Sequence, residues 1–252
     1  MSVIARILAG ARDLSFGGPL GTLLGRISRH LPQRIAPAAD SPKSDPKKRV
    51  AFTIACIALG AKMAKADGTV TRDEVAAFGE VFQVPPGEEA HVRLVFDLAR
   101  KSTAGFASYA RQVGRLFAGE RAVLEDLLGG LFHIALADGR VCPAEDAYLR
   151  EVARHFGFDA RAYARLRALY VGVDSDTGDD PRHVLGVPED ASAEEIRAAY
   201  RRLVRENHPD LVASRGLPPE CVALATARVA RINAAHDRLV KTRFGRAAPM
   251  PA

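Results

Sequence analysis

The sequence predicts an all-α protein, a helical bundle followed by a helical hairpin. From Asp45 to about Val171 the apolar residues recur at intervals of three and four, the period of helices that bury one face. No stretch of this region alternates apolar and polar residues as a half-buried strand would. Two further segments after residue 192 carry apolar stripes that could cover each other.

Length and composition favour two domains. The chain has 252 residues, of which 48% are hydrophobic, so it is long enough for two modules and too apolar to be disordered throughout. Its three cysteines, Cys56, Cys142 and Cys221, are far apart and form no metal-ligand spacing. We therefore expect reduced thiols in a cytoplasmic protein, with no disulfide framework and no zinc site.

A net charge of +6 permits an acidic protein, a nucleic acid or an anionic membrane as partner. The basic residues are concentrated in the first fifty positions and on a predicted helix after residue 195. An acidic stretch, residues 172–180, lies between them and is predicted to be a linker.

The first 44 residues are predicted to be a basic, partly apolar arm and linker. The apolar run Leu14 to Gly25 carries glycines at spacing four, but charged residues close it at about twelve residues and Pro19 interrupts it. It is therefore too short to span a membrane, and it lacks the features of a signal peptide. Two interpretations stay open: a poorly ordered arm, or a segment of residues 1–34 that contacts an anionic membrane surface weakly or self-associates.

The predicted bundle, residues 45–171, has a helix from Val50 to Ala61 that is apolar nearly all round and should lie at its centre. Asp45 and Pro46 suit the start of this helix. Amphipathic runs near residues 75–82, 92–99, 106–117, 124–132 and 148–156 should pack around it.

Two pieces of the bundle match each other. Ala64-Lys65-Ala66-Asp67-Gly68-Thr69-Val70 is followed by Glu74, and Ala135-Leu136-Ala137-Asp138-Gly139-Arg140-Val141 is followed by Glu145. A duplicated helix-turn-helix explains the match, with each glycine ending one helix and a capping residue starting the next. Thr71 with Glu74 forms a capping box, whereas Cys142 before Pro143 is a poorer cap.

This doubled pattern resembles the tellurite-resistance TerB-like domain, including the version found in membrane-associated DnaJ-like proteins of the DjlA type. The resemblance implies a helical fold over about 120 residues, and it directs attention to Asp67, Glu74, Asp138 and Glu145 as metal candidates. The second copy lacks the oxygen ligands that a calcium loop needs. We therefore favour capping and turn formation over a metal site.

The C-terminal module, residues 181–246, begins with a short helical turn from Pro181 to Gly186. A capping box at Ser192 to Glu195 then opens a helix that runs to about Asn207. One face of this helix is apolar and the other is basic, with Arg197, Arg201, Arg202 and Arg205. A basic face is by itself most often a solvated surface.

The residues that follow change that interpretation. His208-Pro209-Asp210 breaks the helix because proline disfavours helical geometry in the residue before it, so a tight bend should present His208 and Asp210 beside the arginines. After a polar loop, a long helix from about Leu217 to Lys241 completes a hairpin, and residues 247–252 form a tail. We expect the bundle and the hairpin to fold independently.

This pattern resembles the J domain of DnaJ. The motifs are Leu185-Gly186-Val187, Ala199-Tyr200-Arg201-Arg202-Leu203, His208-Pro209-Asp210 and Arg231-Ile232-Asn233-Ala234-Ala235, and Gly216 to Glu220 is similar to the DjlA branch. Three positions depart from the family: the first short helix lacks an aromatic residue, and His236 and Leu211 replace an aromatic and a basic residue.

The resemblance implies a co-chaperone that docks on a DnaK-type chaperone and stimulates its ATP hydrolysis, and that is not itself an enzyme. Its partner-binding residues would be His208, Pro209, Asp210, Tyr200, Arg197, Arg201, Arg202 and Arg205. We expect no catalytic residue, metal or cofactor in this chain. The location implied is the cytoplasm, including the cytoplasmic face of the inner membrane.

Two alternatives remain. The first is a TerB-type stress or envelope scaffold with a weak or vestigial J domain, against which the intact tripeptide and arginine face argue. The second is nucleic-acid binding by the basic helix, which lacks aromatic stacking residues and carries Glu194, Glu195 and Glu206. We expect no nucleic-acid partner.

Overall fold

The computed structural model describes residues 17–30, 46–66, 89–101, 105–137, 139–171, 181–214 and 219–244. These residues form helices and no strands, which confirms the predicted all-α class. The helices are α1 Gly18–His30, α2 Pro46–Ala66, α3 Glu89–Arg100, α4 Phe106–Leu116, α5 Arg121–Ala135, α6 Pro143–His155, α7 Ala160–Val171, α8 Pro181–Leu185, α9 Ala193–Glu206, α10 Pro209–Ser214 and α11 Pro219–Phe244.

Helix α2 is the centre of the bundle, as its sequence predicts. Every side chain from Ala51 to Met63 is buried, and the helix packs against α3, α4, α5 and α6. A helix that is covered on all sides needs apolar or small residues all round, which this segment supplies. Pro46 is its first residue, where a missing backbone N–H costs nothing.

Part of the N-terminal arm is more ordered than the first of its two interpretations expects, because residues 18–30 form a helix that packs on α4, α3 and α2. Leu20, Leu23, Leu24 and Ile27 lie within the main core. The side chain of Gln112 fixes the start of α1, accepting a hydrogen bond from the Leu20 N–H at 3.0 Å and donating one to the Gly17 carbonyl at 2.6 Å. The apolar side chains of α1 therefore pack in the protein core.

The second copy of the repeated pattern forms the predicted helix-turn-helix. Helix α5 ends at Ala135, Gly139 adopts a φ of +89°, and α6 begins at Pro143. The carboxylate of Glu145 accepts a hydrogen bond from the Cys142 N–H at 2.8 Å, so this buried glutamate serves as part of a cap. Among the residues that the structure describes, no cluster of side chains is suited to a metal ion. Three of the four metal candidates, Asp67, Glu74 and Asp138, lie outside the described residues.

The C-terminal hairpin consists of α9 and α11, with α8 closing one end. Ile196, Leu203, Ile232 and Leu239 form its apolar centre together with Val184 and Leu185 of α8. Gly186 follows α8 with a φ of +65°, the left-handed conformation predicted at this position.

The two domains share their packing, which the separate apolar patterns of the sequence did not indicate. Ala168 and Leu169 of α7 belong to the hairpin's cluster, and Val212 of α10 and Ala225 of α11 belong to the bundle's cluster. Helix α11 contacts both α5 and α7. Independent folding of the domains stays a prediction; the structure shows two apolar clusters, each of which includes residues of both domains.

Tyr170 of α7 occupies a position that depends on the absence of a side chain at Gly129. A Cβ atom added at Gly129 would lie 2.3 Å from the Tyr170 ring, which itself stacks on Phe132 with ring centroids 5.5 Å apart. The ring cannot move away without disturbing this stack. Gly129 therefore permits the close approach of α5 and α7.

We expect Gly129→Ala to lower the free energy of unfolding by about 1 to 3 kcal/mol, the usual cost of overpacking a core. Gly25→Ala is the matched control, because a Cβ at this exposed helical position meets nothing within 4 Å. The control should be neutral or stabilising by up to about 1 kcal/mol, since alanine is the better helix former. Thermal unfolding of both variants checks this, and equal melting temperatures would contradict it.

Candidate functional site

Helix α9 begins with the capping box that the sequence predicts. The Ser192 hydroxyl accepts a hydrogen bond from the Glu195 N–H at 3.2 Å, and the Glu195 carboxylate accepts one from the Ser192 N–H at 2.7 Å. The backbone hydrogen bond from Ser192, with that of its side chain, lowers the pKa of Glu195. The first turn of this helix is therefore fixed by its own side chains.

The two predicted faces of α9 are present. Ile196, Ala199 and Leu203 are buried in the hairpin. The four arginines of the other face, Arg197, Arg201, Arg202 and Arg205, are exposed. The structure thus brings all four predicted basic residues to one side of one helix.

Tyr200 connects α9 to α11. Its ring stacks on the His236 imidazole with centroids 4.2 Å apart and an interplanar angle of 23°. Its hydroxyl donates a hydrogen bond to the Asn233 side-chain oxygen at 3.1 Å. His236, which replaces an aromatic residue common in the family, therefore still supplies a flat ring for this contact.

Two residues, Asn207 and His208, separate α9 from α10. His208 lies between the two helices, and its Nδ1 atom accepts a hydrogen bond from the Asp210 N–H at 3.2 Å. The side chains of His208 and Asp210 are 52% and 93% exposed. The predicted bend is therefore present, and the side chains of His208 and Asp210 are exposed to solvent.

The residues after the tripeptide differ from the polar loop that the sequence predicts. Residues 209–214 form α10, which begins at Pro209, and its Val212 side chain is fully buried. Proline is favourable in the first turn of a helix, so Pro209 both ends α9 and starts α10. Leu211, 40% exposed, stands out among the described residues as an exposed large apolar side chain.

The sequence did not predict the buried hydrogen-bond network that lies beneath this bend. Asn207, which ends α9, is buried, and its side-chain oxygen accepts a hydrogen bond from Arg228 Nη1 at 2.8 Å. Arg228 Nη2 binds the Asp126 carboxylate of α5 at 2.7 Å. The sequence did contain one signal of this network: Arg228 lies three residues after Ala225, on the apolar side of α11.

Comparison with known proteins agrees with this architecture. Residues 53–168 match the family described as tellurite resistance protein TerB, and residues 180–243 match the DnaJ domain. The chain therefore carries a TerB domain followed by a J domain, which is the predicted domain order of the DjlA type. The order of the two domains and the family are thereby confirmed.

Relatives of the DjlA type match along most of the chain. "Co-chaperone protein DjlA" of Pasteurella multocida is 27% identical over 289 aligned positions, covering 96% of this chain and 99% of that protein. The protein of the same name from Coxiella burnetii is 26% identical, with the same coverage of 96% and 99%. That from Shewanella oneidensis is 34% identical over 118 positions, 43% of this chain and 45% of the relative. No solved structure matches the chain.

These relatives and the J domain support a co-chaperone role for this DjlA-type chain. In the part of the chain that the structure describes, no helix is long and apolar enough to cross a membrane.

We expect Ser192→Ala to lower the free energy of unfolding by about 1 kcal/mol, because the first turn of α9 loses its cap. Because the folded-state pKa of Glu195 is lowered, the contribution of this cap is present at neutral pH and declines as the pH falls through that lowered pKa. Denaturant unfolding at several pH values measures both effects. Ser192→Asp retains a capping oxygen and should behave as the unchanged protein; a loss equal to that of alanine would contradict the assignment.

Proposed function

We propose that this protein docks on a DnaK-type chaperone through α9 and the bend at residues 208–210, and that docking stimulates ATP hydrolysis by the chaperone. The observation that carries the proposal is the exposed His208-Pro209-Asp210 bend directly beside the exposed arginine face of α9. The relatives named as co-chaperones support the choice of partner.

The arginine face serves encounter and orientation. Arg197, Arg201, Arg202 and Arg205 offer guanidinium groups to an acidic surface, and such charges steer diffusion and fix the docking register. Tyr200, anchored on His236 and Asn233, holds α9 to α11 while this face is engaged. Leu211 adds an apolar contact at the edge of the bend, where the family usually has a basic residue.

The bend acts on the conformation of the partner. His208, Pro209 and Asp210 would contact the junction of the partner's nucleotide-binding domain and linker in the arrangement that is competent for hydrolysis. A ligand shifts a conformational equilibrium only by binding the two states differently, so these contacts must be stronger in that arrangement. The chain thus regulates the ATPase of another protein and is not itself the enzyme.

The remaining segments have supporting roles in this proposal. Residues 181–246 form the docking unit, and the TerB-like domain at 45–171 contributes targeting, regulation or interaction. Contact of residues 1–34 with an anionic membrane on its cytoplasmic face, and self-association, are also proposed. Because the leucines of α1 are buried, such membrane contact would be electrostatic through this segment's basic residues.

Arg201→Ala combined with Arg202→Ala should weaken association with the chaperone by about 1 to 3 kcal/mol, because the variant loses steering charge and docking contacts. The loss should shrink at high salt, where mobile ions screen the charges. Titration of stimulated single-turnover ATP hydrolysis against this protein's concentration, at low and high salt, measures the effect.

Arg115→Ala with Arg161→Ala is the matched control, because it removes the same charge from exposed positions on α4 and α7. It should leave the half-saturating concentration nearly unchanged. Equal weakening by both double variants would show that net charge alone, and not the face of α9, governs association.

His208→Gln and Asp210→Asn should lower the maximal stimulated rate without unfolding the protein, because these exposed side chains contribute no core packing. An interaction made only in the activated arrangement lowers the plateau when it is removed, and saturation does not restore it. The plateau of the same titration is the measurement, with circular dichroism as the check on folding. Full recovery of the plateau at saturating concentration would show that the tripeptide contributes binding alone.

A further inference from the structure

A charged side chain is buried at the contact between the two domains. Arg228 of α11 is 3% exposed and its partner Asp126 of α5 is 1% exposed. The two residues are 102 positions apart, and their Nη2 and Oδ1 atoms are 2.7 Å from each other. Buried ions are costly unless they are paired, so each of these residues requires the other.

Aromatic packing from the TerB-like domain fixes the position of the guanidinium. Arg228 lies over the Tyr170 ring, 5.0 Å from its centroid, and that ring stacks on Phe132. The Tyr170 hydroxyl donates a hydrogen bond to the Glu125 carbonyl at 3.2 Å, next to Asp126. A second arginine of α11, Arg231, donates a hydrogen bond to the Leu169 carbonyl at 3.2 Å. Helices α5 and α7 thus hold Arg228 from two sides.

The other end of the same guanidinium reaches the bend. Arg228 Nη1 donates to Asn207 Oδ1 at 2.8 Å, and Asn207 Nδ2 donates to the Leu203 carbonyl at 2.8 Å. Asn207 ends α9 and immediately precedes His208. One planar group therefore joins Asp126 of the TerB-like domain to the residue from which the tripeptide departs.

We propose that Arg228 is a positioning residue for the His208 to Asp210 bend, and that the TerB-like domain, through Asp126 and Arg228, sets the geometry in which this bend meets its partner. The two domains are coupled through three side chains that contact one another in series: Asp126, Arg228 and Asn207. The partner is the DnaK-type chaperone, so this inference rests on the proposed function.

The contact between the domains leaves the docking surface open. The four arginines of α9 and the side chains of His208 and Asp210 are exposed, while Asn207 and Arg228 are buried behind them. The cleft beside this network has a volume of about 460 Å³ and is lined from both domains, by Arg121, Glu125 and Arg165 on one side and by Arg202, Glu206 and Asn207 on the other. The TerB-like domain therefore supports the bend without covering it.

Three variants of the full chain test the path one link at a time. Arg228→Lys keeps the charge, but an ammonium group cannot hold two acceptors in the fixed fork of a guanidinium. Asp126→Asn removes the charge at the far end without touching Asn207. Asn207→Ala removes the acceptor next to the bend and leaves the ion pair in place. Arg165→Lys is the control, because Arg165 lines the same cleft and pairs with Glu125 at 3.1 Å but makes no contact with Asn207 among the hydrogen bonds described.

Stimulation of single-turnover ATP hydrolysis by the chaperone gives the first readout. All three variants should lower the plateau by at least about five-fold, the lower end of ordinary coupling between sites, with the half-saturating concentration changed far less. Arg165→Lys should retain the plateau. Combining Asp126→Asn with Arg228→Lys should cost less than the sum of the two single effects, because both break one path.

Amide hydrogen exchange of the chain without its partner gives the second readout. Exchange at residues 207–212 should accelerate in the three variants, while residues 193–203 and the control stay unchanged. A purely structural role would instead lower the melting temperature with the plateau intact. If Asp126→Asn retains both the plateau and the slow exchange while Arg228→Lys loses them, the TerB-like domain takes no part and the inference is overturned.

The two readouts separate the inference from the proposed function. If the unchanged protein fails to stimulate the chaperone at all, the proposed function fails, whereas the exchange experiment still decides whether Asp126 controls the bend. If Arg228→Lys does not fold, Asp126→Asn and Asn207→Ala carry the test. Slow exchange at residues 207–212 in both of these folded variants would overturn the inference.

Discussion

The ion pair of Arg228 and Asp126 constrains how the two domains can be arranged. Burial disfavours the charged guanidinium, but the interactions with Tyr170 and Asp126 outweigh it, so the pKa of Arg228 is raised. A pair of this kind adds little net stability compared with apolar residues of the same size, yet leaving either partner alone is costly. Its main consequence is therefore specificity, because only an arrangement that brings α11 against α5 and α7 satisfies both charges.

This constraint explains why α11 serves two packing surfaces. Ile232 and Leu239 pack against α9 and α8 within the hairpin, whereas Ala225 joins the core of the bundle. Arg228 lies between these apolar positions and faces the domain boundary. A helix that is apolar on two sides and carries one buried cation cannot rotate about its axis without breaking one contact or the other. The four arginines of α9 stay exposed in this arrangement, with Arg202 at the edge of the cleft between the domains.

Local sequence signals predicted most helix starts and ends around the proposed docking site. Ser192 with Glu195 forms the capping box, Pro209 ends α9, and Gly186 has the left-handed conformation, because each of these depends on a few neighbouring residues. Helix α10 was missed, since a six-residue helix has too few positions to show a period.

Contacts between distant residues were harder to predict. The sequence places Arg228 on the apolar side of its helix, but neither Arg228 nor Asp126 shows from the sequence that it has a partner 102 positions away. Helix α1 was a different kind of error. Leu20, Leu23, Leu24 and Ile27 have helical spacing, but the short, glycine-containing run was interpreted as a poorly ordered arm or as a segment that contacts a membrane surface weakly or self-associates. The tertiary contact with α4 decided the outcome, and only the structure contains it.

The character of the exposed surface indicates what kind of docking this protein can support. Among the described residues, Leu211 is the exposed large hydrophobic side chain, and the other exposed residues of the proposed site are arginine, histidine and aspartate, with Tyr200 and Pro209 half-buried. Long-lived complexes bury a central apolar patch, whereas charged surfaces give fast and salt-sensitive encounters that also dissociate readily. A charged surface that binds transiently therefore suits the proposed co-chaperone role, in which the partner has to be released again. Exposed side chains have few contacts that fix their positions, so the backbone beneath them has to be fixed by buried residues. The buried hydrogen-bond network of Asn207, Arg228 and Asp126 lies directly beneath the bend and can provide this support.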